Sequence, residues 1–145
     1  MRPILRSGLA VLLGALAASA VIMAVEFLDA TIYPSPPGMD PNDPDSVKSA
    51  MAALPIGALL LVLLGWIVGT FAGAWIAARL APRSPIVHGL IVGVLLLAGG
   101  IYNMLEIPHP LWFWVLGVAV FLPSAYLGAR LAAGGAGRDR SLATA

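Results

Sequence analysis

The sequence predicts an all-α membrane protein, a single domain with four transmembrane helices. Two counts indicate this class: 60% of the 145 residues are hydrophobic and only 10% are charged, whereas soluble domains carry about 25% charged residues. The mean hydropathy of +0.95 points the same way. Apolar and polar residues do not alternate over two positions, so helices rather than a β-barrel are expected to satisfy the backbone in lipid.

Four apolar segments are long enough to cross a bilayer, which takes about 20 helical residues. A proline-rich loop of about residues 30–54 separates the first two, and we expect it to be stiff and to contain a short helix over residues 47–54. Pro55 should end that helix. The predicted spans cover about residues 8–28, 55–80, 86–105 and 111–133.

The first span also has features of a secretory signal peptide, with a basic start followed by the small residues Ala18-Ser19-Ala20. Its apolar run continues to Val25, beyond the usual core of about 7–15 residues. We therefore expect a retained helix.

Basic residues predict the orientation of the spans. Seven of the eight Lys and Arg residues lie before the first span, near the end of the second span or just after it, and near the end of the fourth span or after it. The other side has Lys48 together with six of the seven acidic residues. The positive-inside rule therefore predicts that both termini lie in the cytoplasm. The seven basic residues are Arg2, Arg6, Arg79, Arg83, Arg130, Arg138 and Arg140.

The chain has the pattern of two parallel copies of one helical hairpin. Residues 74–81 and 125–132 are identical at five of eight positions and share the ending Ala-Arg-Leu-Ala. The first and third spans end in Glu26 and Glu106, respectively. Because both copies begin on the same side, an axis along the membrane normal would relate them. The alternative is a chance match within a small apolar alphabet.

Small residues recur every four positions in the second and fourth spans. They are Gly65, Gly69 and Gly73 in the second span, and Ser124 and Gly128 in the fourth. Such faces let helix backbones approach closely in lipid. We expect them to pack the second span against the fourth, or to join two protomers. The alternative is a narrow pore lined by backbone.

Polar side chains that suit a ligand lie at the outer ends of the first and third spans. Glu26 and Asp29 are three residues apart and share a helix face, Asn103 and Glu106 repeat that spacing, and His109 follows. Carboxylates at a helix C-terminus are disfavoured by about 0.3–1 kcal/mol each, so a cation, a proton or water should compensate them. These residue types ligate divalent cations. The alternative is that the acids only mark the membrane boundary.

Two arginines occupy matching positions near the ends of the second and fourth spans. Arg79 and Arg130 are expected to extend to the inner headgroups, where they would bind an anionic lipid.

Three short motifs resemble those of small four-span proteins of the bacterial inner membrane. They are Tyr-Pro-x-Pro at residues 33–36, Leu-Pro-x-Gly-Ala at 54–58 and Pro-His-Pro-x-Trp-Phe at 108–113. The resemblance implies the same membrane and covers most of the chain. It implies no activity, because that group is uncharacterised.

Composition excludes several classes of function. A formal net charge of +1 does not suit a nucleic-acid-binding module, and zero cysteines exclude disulfides, thiolate metal sites and a cysteine nucleophile. The sequence has no complete catalytic set, phosphate-binding loop or dinucleotide fingerprint. We therefore expect a non-enzymatic protein with no cofactor, unless the outer acids bind a divalent cation.

Three hypotheses about function remain. The first is a cation or small-ligand site formed by the outer polar residues and used in permeation or sensing. The second is a structural or assembly protein whose glycine face docks a membrane partner or a second copy. An enzyme that acts on a lipid headgroup ranks last. Beyond these, the lipid bilayer is the expected partner.

Overall fold

The computed structural model describes residues 3–142, with the side chains of residues 3–135. This part of the chain forms five α-helices and no strand. Four of the helices, counting α5 to Gly135, are long and apolar enough to cross a membrane, in agreement with the predicted all-α membrane protein. The helices are α1 (Pro3–Ile32), α2 (Pro44–Ala53), α3 (Ile56–Leu80), α4 (Pro85–Glu106) and α5 (Leu111–Leu142).

α1 is longer at both ends than the predicted span of residues 8–28. Between Gly14 and Pro34 the sequence contains neither Gly nor Pro, so the helix meets no breaker until just before the proline. Glu26 and Asp29 therefore lie inside α1. Glu26 stands six residues before the helix end, which corresponds to about 9 Å along the axis.

The short helix α2 begins earlier than the predicted residue 47. Asp43 caps its N-terminus by accepting a hydrogen bond from the backbone N–H of Asp45 at 3.2 Å. Pro44 then occupies the first turn, where its missing N–H costs nothing. The helix ends before Leu54, which adopts an extended backbone ahead of Pro55.

α3 lies at the centre of the bundle. It contacts α1, α4 and α5, while α1 contacts α3 and α4 and, among the residues that the structure describes, has no contact with α5. The outer face of α1 exposes large apolar side chains such as Leu16, Met23 and Phe27. Such exposure fits a helix that faces lipid.

The two ends of the bundle differ in charge. One end of the bundle contains the 33–43 loop, α2 and the 107–110 corner. All six acidic residues with described side chains lie in these segments or in the parts of α1 and α4 that lead into them, so we call it the acidic end. The opposite end, where α1 begins, α3 ends and α4 begins, contains Arg6, Arg79 and Arg83, and we call it the arginine end.

Packing differs between the two ends as well. Toward the arginine end, Gly89 lies against Ala129, and the buried residues Ala78, Ala129 and Ala132 form a cluster. Toward the acidic end, the core consists of larger side chains around Trp66. The helices thus approach closely in one half and are held apart by bulky groups in the other. The larger core residues are Leu59, Leu63, Trp66, Met104, Phe113 and Phe121.

From its sequence, the glycine face of α3 is expected to pack against α5 or against a second protomer. In the structure this face packs against α1 instead. A methyl group on Gly73 would meet the Gly14 carbonyl oxygen and the Ala18 Cβ atom, and Gly69 lies against Ile22 and Ala18 in the same way. α1 accepts this face because its buried residues Ala10, Gly14 and Ala18 also recur every four positions.

The α3–α5 contact involves Gly128, one of the two small residues predicted for the fourth span. Gly128 lies against the backbone of Phe71 in α3, and Ser124 is buried. Gly65 completes the α1 contact by packing against Val25. Both predicted faces are thus occupied by helices of the same chain.

Candidate functional site

Two of the five predicted site residues line one cleft. Glu26 of α1 and Asn103 of α4 face a space of about 190 Å³. We call it the Glu26 cleft. It lies in the acidic half of the bundle, and its remaining walls are formed by Ile22, Trp66, Leu96, Gly99, Gly100 and Phe121.

The Glu26 cleft exists because α4 presents two adjacent glycines there. A Cβ atom on Gly99 would meet nothing within 4 Å, so this wall has no side chain. Gly100 is backed by the Phe121 ring, whose Cζ atom would lie 2.6 Å from an added Cβ. The floor is fixed, because Trp66 is 3% exposed and its ring packs against Phe113 and Phe121 at centroid distances of 5.4 and 5.2 Å.

The side chain of Trp66 lies close enough to Glu26 for a hydrogen bond. The indole N–H is the only donor of a tryptophan side chain, so it would donate to the Glu26 carboxylate. Asp29 lies near enough for the two carboxylates to repel each other. No lysine or arginine is among the residues that line this cleft. A negative charge on Glu26 would therefore have a neutral donor beside it and no lysine or arginine in the cleft lining.

The register of α1 against α3 gives the depth of this carboxylate. Val25 packs against Gly65, which is 14 residues, or about 21 Å, from Arg79. If Arg79 marks one boundary of a hydrocarbon layer about 30 Å thick, Glu26 lies about 9 Å inside the other. This position is deeper than expected for a residue at the outer end of a span. An ionised side chain costs about 2.5–3.5 kcal/mol at the bilayer centre on insertion scales, and a part of that at this depth.

The other three predicted residues lie elsewhere at the acidic end. Asp29 follows Glu26 on α1, and its Oδ1 atom is buried without a hydrogen-bond partner. Glu106 is the last residue of α4 and is exposed. His109 lines a different cavity of about 410 Å³ between α2 and the 107–110 corner, together with Lys48 and Trp112.

His109 is held in a fixed orientation. Its Nδ1 atom lies 2.6 Å from the carbonyl oxygen of Ile107, and its ring stacks on Phe113 with centroids 4.6 Å apart. Burial lowers the pKa of His109 below its ordinary value of 6.5, and the hydrogen bond to Ile107 opposes part of that change. The neutral imidazole is therefore favoured at pH 7.

The predicted residues do not form a single metal centre. Among the residues that the structure describes, no group of three or more His, Cys, Asp or Glu is placed to hold a metal ion. The turn residues of the 33–43 loop are engaged locally, since an Asp40 carboxylate oxygen accepts from the backbone N–H of Asn42 at 2.9 Å. The Glu26 cleft supplies one carboxylate and one amide instead.

Arg79 and Arg130 line a common groove of about 650 Å³ at the arginine end. The Arg79 guanidinium lies over the Trp75 ring, 5.3 Å from its centroid, and Leu127 and Leu131 form an apolar wall. A charged rim above an apolar wall matches the chemistry of a lipid headgroup and chain.

The sequence prediction did not include Trp66 or Gly99 as site residues. One signal was present: Gly99 and Asn103 are four residues apart and therefore share a helix face. Trp66 gave no comparable signal, because a tryptophan inside an apolar span is typical of a buried core residue.

The part of the chain that the structure describes is thus all-helical, with four helices able to cross a membrane and the Glu26 carboxylate in a cleft between α1 and α4. No known protein family matches this chain, and no curated protein or solved structure is similar to it.

Proposed function

We propose that this chain is a multi-pass protein of the bacterial inner membrane that binds a small cation in the Glu26 cleft. Both termini are placed in the cytoplasm by the positive-inside rule, because seven of the eight basic residues lie on one side. The cleft then lies in the extracytoplasmic half of the membrane. The bacterial assignment depends on the resemblance to four-span bacterial proteins carried by the three motifs.

The observation that carries the proposal is a carboxylate inside a helix able to cross a membrane, with no lysine or arginine among the residues that line its cleft. Glu26 lines the cleft beside Trp66 and Asn103, and part of its surface is exposed. Ionisable residues within membranes usually pair with a partner and mark a functional site. A bound cation would remove the energetic cost of this charge and would enter at this exposed surface.

The chemistry of the cleft favours a monovalent ammonium over a metal ion. Ca²⁺ takes six to eight oxygen ligands and Mg²⁺ needs an octahedral set, whereas the cleft offers one carboxylate and one amide. An ammonium group donates hydrogen bonds to such oxygens. The Trp66 and Phe121 rings that line the cleft attract cations through their faces.

The size of the cleft restricts the ligand further. Its volume of about 190 Å³ is below the range of about 300–1,000 Å³ found for pockets that hold drug-sized molecules. We therefore propose a small primary amine, or the ammonium group at the end of a longer molecule whose remainder lies in lipid.

Sensing is favoured over permeation. The arginine half is closed by the buried residues Ala74, Ala78 and Ala129, and by Gly89 packed against Ala129. A continuous path through the bundle would have to separate these backbones. Sensing requires only that a ligand bound at one end changes how the helices pack, so it needs no such path.

The internal repeat remains part of the proposal. The α1–α3 and α4–α5 pairs are each connected at the acidic end and each packed through small residues, as two copies of one hairpin would be. Docking of a partner or second copy through the glycine face of α3 would require α1 to leave it. The proposal therefore assigns that face to internal packing.

Thermal unfolding in detergent with added methylammonium tests the proposed function. At a concentration one hundred times the Kd, a ligand stabilises the folded state by about 2.7 kcal/mol, so the midpoint should rise. Sodium chloride at the same ionic strength controls for screening. The Glu26→Gln variant removes the charge with little change of shape and should lose the response.

Glu106→Gln provides the matched control, because it is the same substitution on an exposed acid at the same end of the bundle. It should respond as the unmodified chain does. A Glu26→Gln variant that still responds fully would refute the proposal, and so would equal stabilisation by sodium. A response to calcium that requires both glutamates would instead support the divalent site predicted from sequence.

A further inference from the structure

The arginine end contains a second cavity, on the opposite side of the membrane from the Glu26 cleft. It has a volume of about 540 Å³ and is lined by Arg6 of α1, Arg79 of α3, and Arg83 and Ser84 of the α3–α4 loop. Three guanidinium groups from three separate segments therefore border one space. We call it the arginine cavity.

The charge around this cavity has one sign among the described side chains. All six acids with described side chains lie on the acidic side of the chain, and none lines the arginine cavity. α4 begins at Pro85 in the cavity wall, so the positive end of its dipole adds to the potential. Arginines that only set topology need not share a space, whereas these three border one cavity.

We propose that the arginine cavity binds the phosphate group of an anionic phosphate ester. Guanidinium groups bind phosphate through paired, charge-assisted hydrogen bonds. Arg79 also borders the neighbouring groove, where Trp75, Leu127 and Leu131 provide an apolar wall. A phosphate in the cavity could therefore belong to a phospholipid whose chain follows the groove, or to a soluble ester. This inference is independent of cation binding at Glu26.

Two arms of one experiment distinguish these sources. Native mass spectrometry from mild detergent compares bound phosphatidylglycerol with bound phosphatidylcholine, which is zwitterionic. Thermal unfolding with glycerol 3-phosphate, against sodium chloride of equal ionic strength, tests the soluble ester. Selective retention of phosphatidylglycerol supports a lipid phosphate, and stabilisation by glycerol 3-phosphate supports a soluble one.

The Arg6→Gln/Arg83→Gln double variant should lower either response at least about tenfold, because two charged hydrogen-bonding groups are lost. Lys48→Gln, which removes one positive charge at the other end, should change nothing. If the glutamine variant does not insert, Arg6→Lys/Arg83→Lys retains the charge but loses the paired hydrogen bonds, and binding should still fall. Absence of both responses in the unmodified chain, or responses unchanged in both double variants, would overturn the proposal.

Discussion

The α1–α3 contact permits a sharp test of the fold, the substitution Gly73→Ala. The added methyl group would meet three atoms of α1: the Gly14 carbonyl oxygen, the Ala18 Cβ atom at 2.6 Å and the Ala18 backbone nitrogen at 3.2 Å. Two of these are backbone atoms, which cannot rotate away as a side chain can. The helices must therefore separate, and neighbouring close contacts such as that of Gly69 with Ala18 would weaken too.

The expected cost follows from two opposed effects. Overpacking costs about 1–3 kcal/mol, while replacing glycine by alanine within a helix returns up to about 1 kcal/mol. We expect a net loss of about 1–2 kcal/mol of unfolding free energy. With about 2–4 °C per kcal/mol for a chain near this size, the midpoint of thermal unfolding should fall by about 2–8 °C.

Gly99→Ala is the matched control for this measurement. It introduces the same methyl group in another spanning helix, where nothing lies within 4 Å. Its unfolding midpoint in the same detergent should equal or slightly exceed that of the unmodified chain. If Gly73→Ala were as stable as the unmodified chain, or if both variants lost stability equally, the close α1–α3 packing would be incorrect.

Three further predictions concern the cleft, the 107–110 corner and the orientation of the chain. Gly99→Leu should fill the Glu26 cleft and abolish the methylammonium response without lowering the unfolding midpoint, whereas Gly8→Leu, also in open space, should keep it. Because burial lowers the pKa of His109 in the folded chain, the unfolded chain takes up a proton more readily than the folded one. Stability should therefore fall as the pH drops below 6.5 until the folded pKa is passed, and His109→Asn should make the dependence shallower in thermal unfolding between about pH 8 and 5. A single cysteine at Ser49 should react with an impermeant thiol reagent outside the cell and one at Ser84 should not; the reverse pattern would contradict the proposed orientation.

The spans could be predicted from the sequence because each is an apolar run bounded by charge or proline. The ends were less certain for a physical reason. The hydropathy pattern predicts that the first span ends near Leu28. In the structure α1 continues to Ile32, because a helix ends only where a breaker such as Pro34 prevents its continuation. Glu26 therefore lies inside α1, six residues before its end, rather than at the end of a helix.

The partner of the glycine face could not be predicted. The four-residue spacing of the glycines identifies which face of α3 carries small residues. However, α1 and α5 both have small residues at the same spacing. The choice between them depends on how all four spanning helices pack together. The structure pairs Gly73 with Gly14 and Ala18, and it leaves Gly128 to contact α3 at Phe71.

The site was predicted in part. Glu26 and Asn103 face the same cleft, but Glu106, three residues beyond Asn103, is turned about 60° around the α4 axis and is exposed. Spacing shows which residues neighbour one another on one helix. It does not show how that helix is rotated toward the next, and this rotation decides which acid enters the cleft.

The central claim is that a small cation sits beside Glu26, and the indole resonance of Trp66 reports on it most directly. The chain has four tryptophans, so a ¹⁵N–¹H spectrum contains four indole signals, which single Trp→Phe variants assign. Titration with methylammonium should shift the Trp66 signal saturably and leave that of Trp75, at the arginine end, unchanged. An unmoved Trp66 signal, or equal shifts at both residues, would contradict the account.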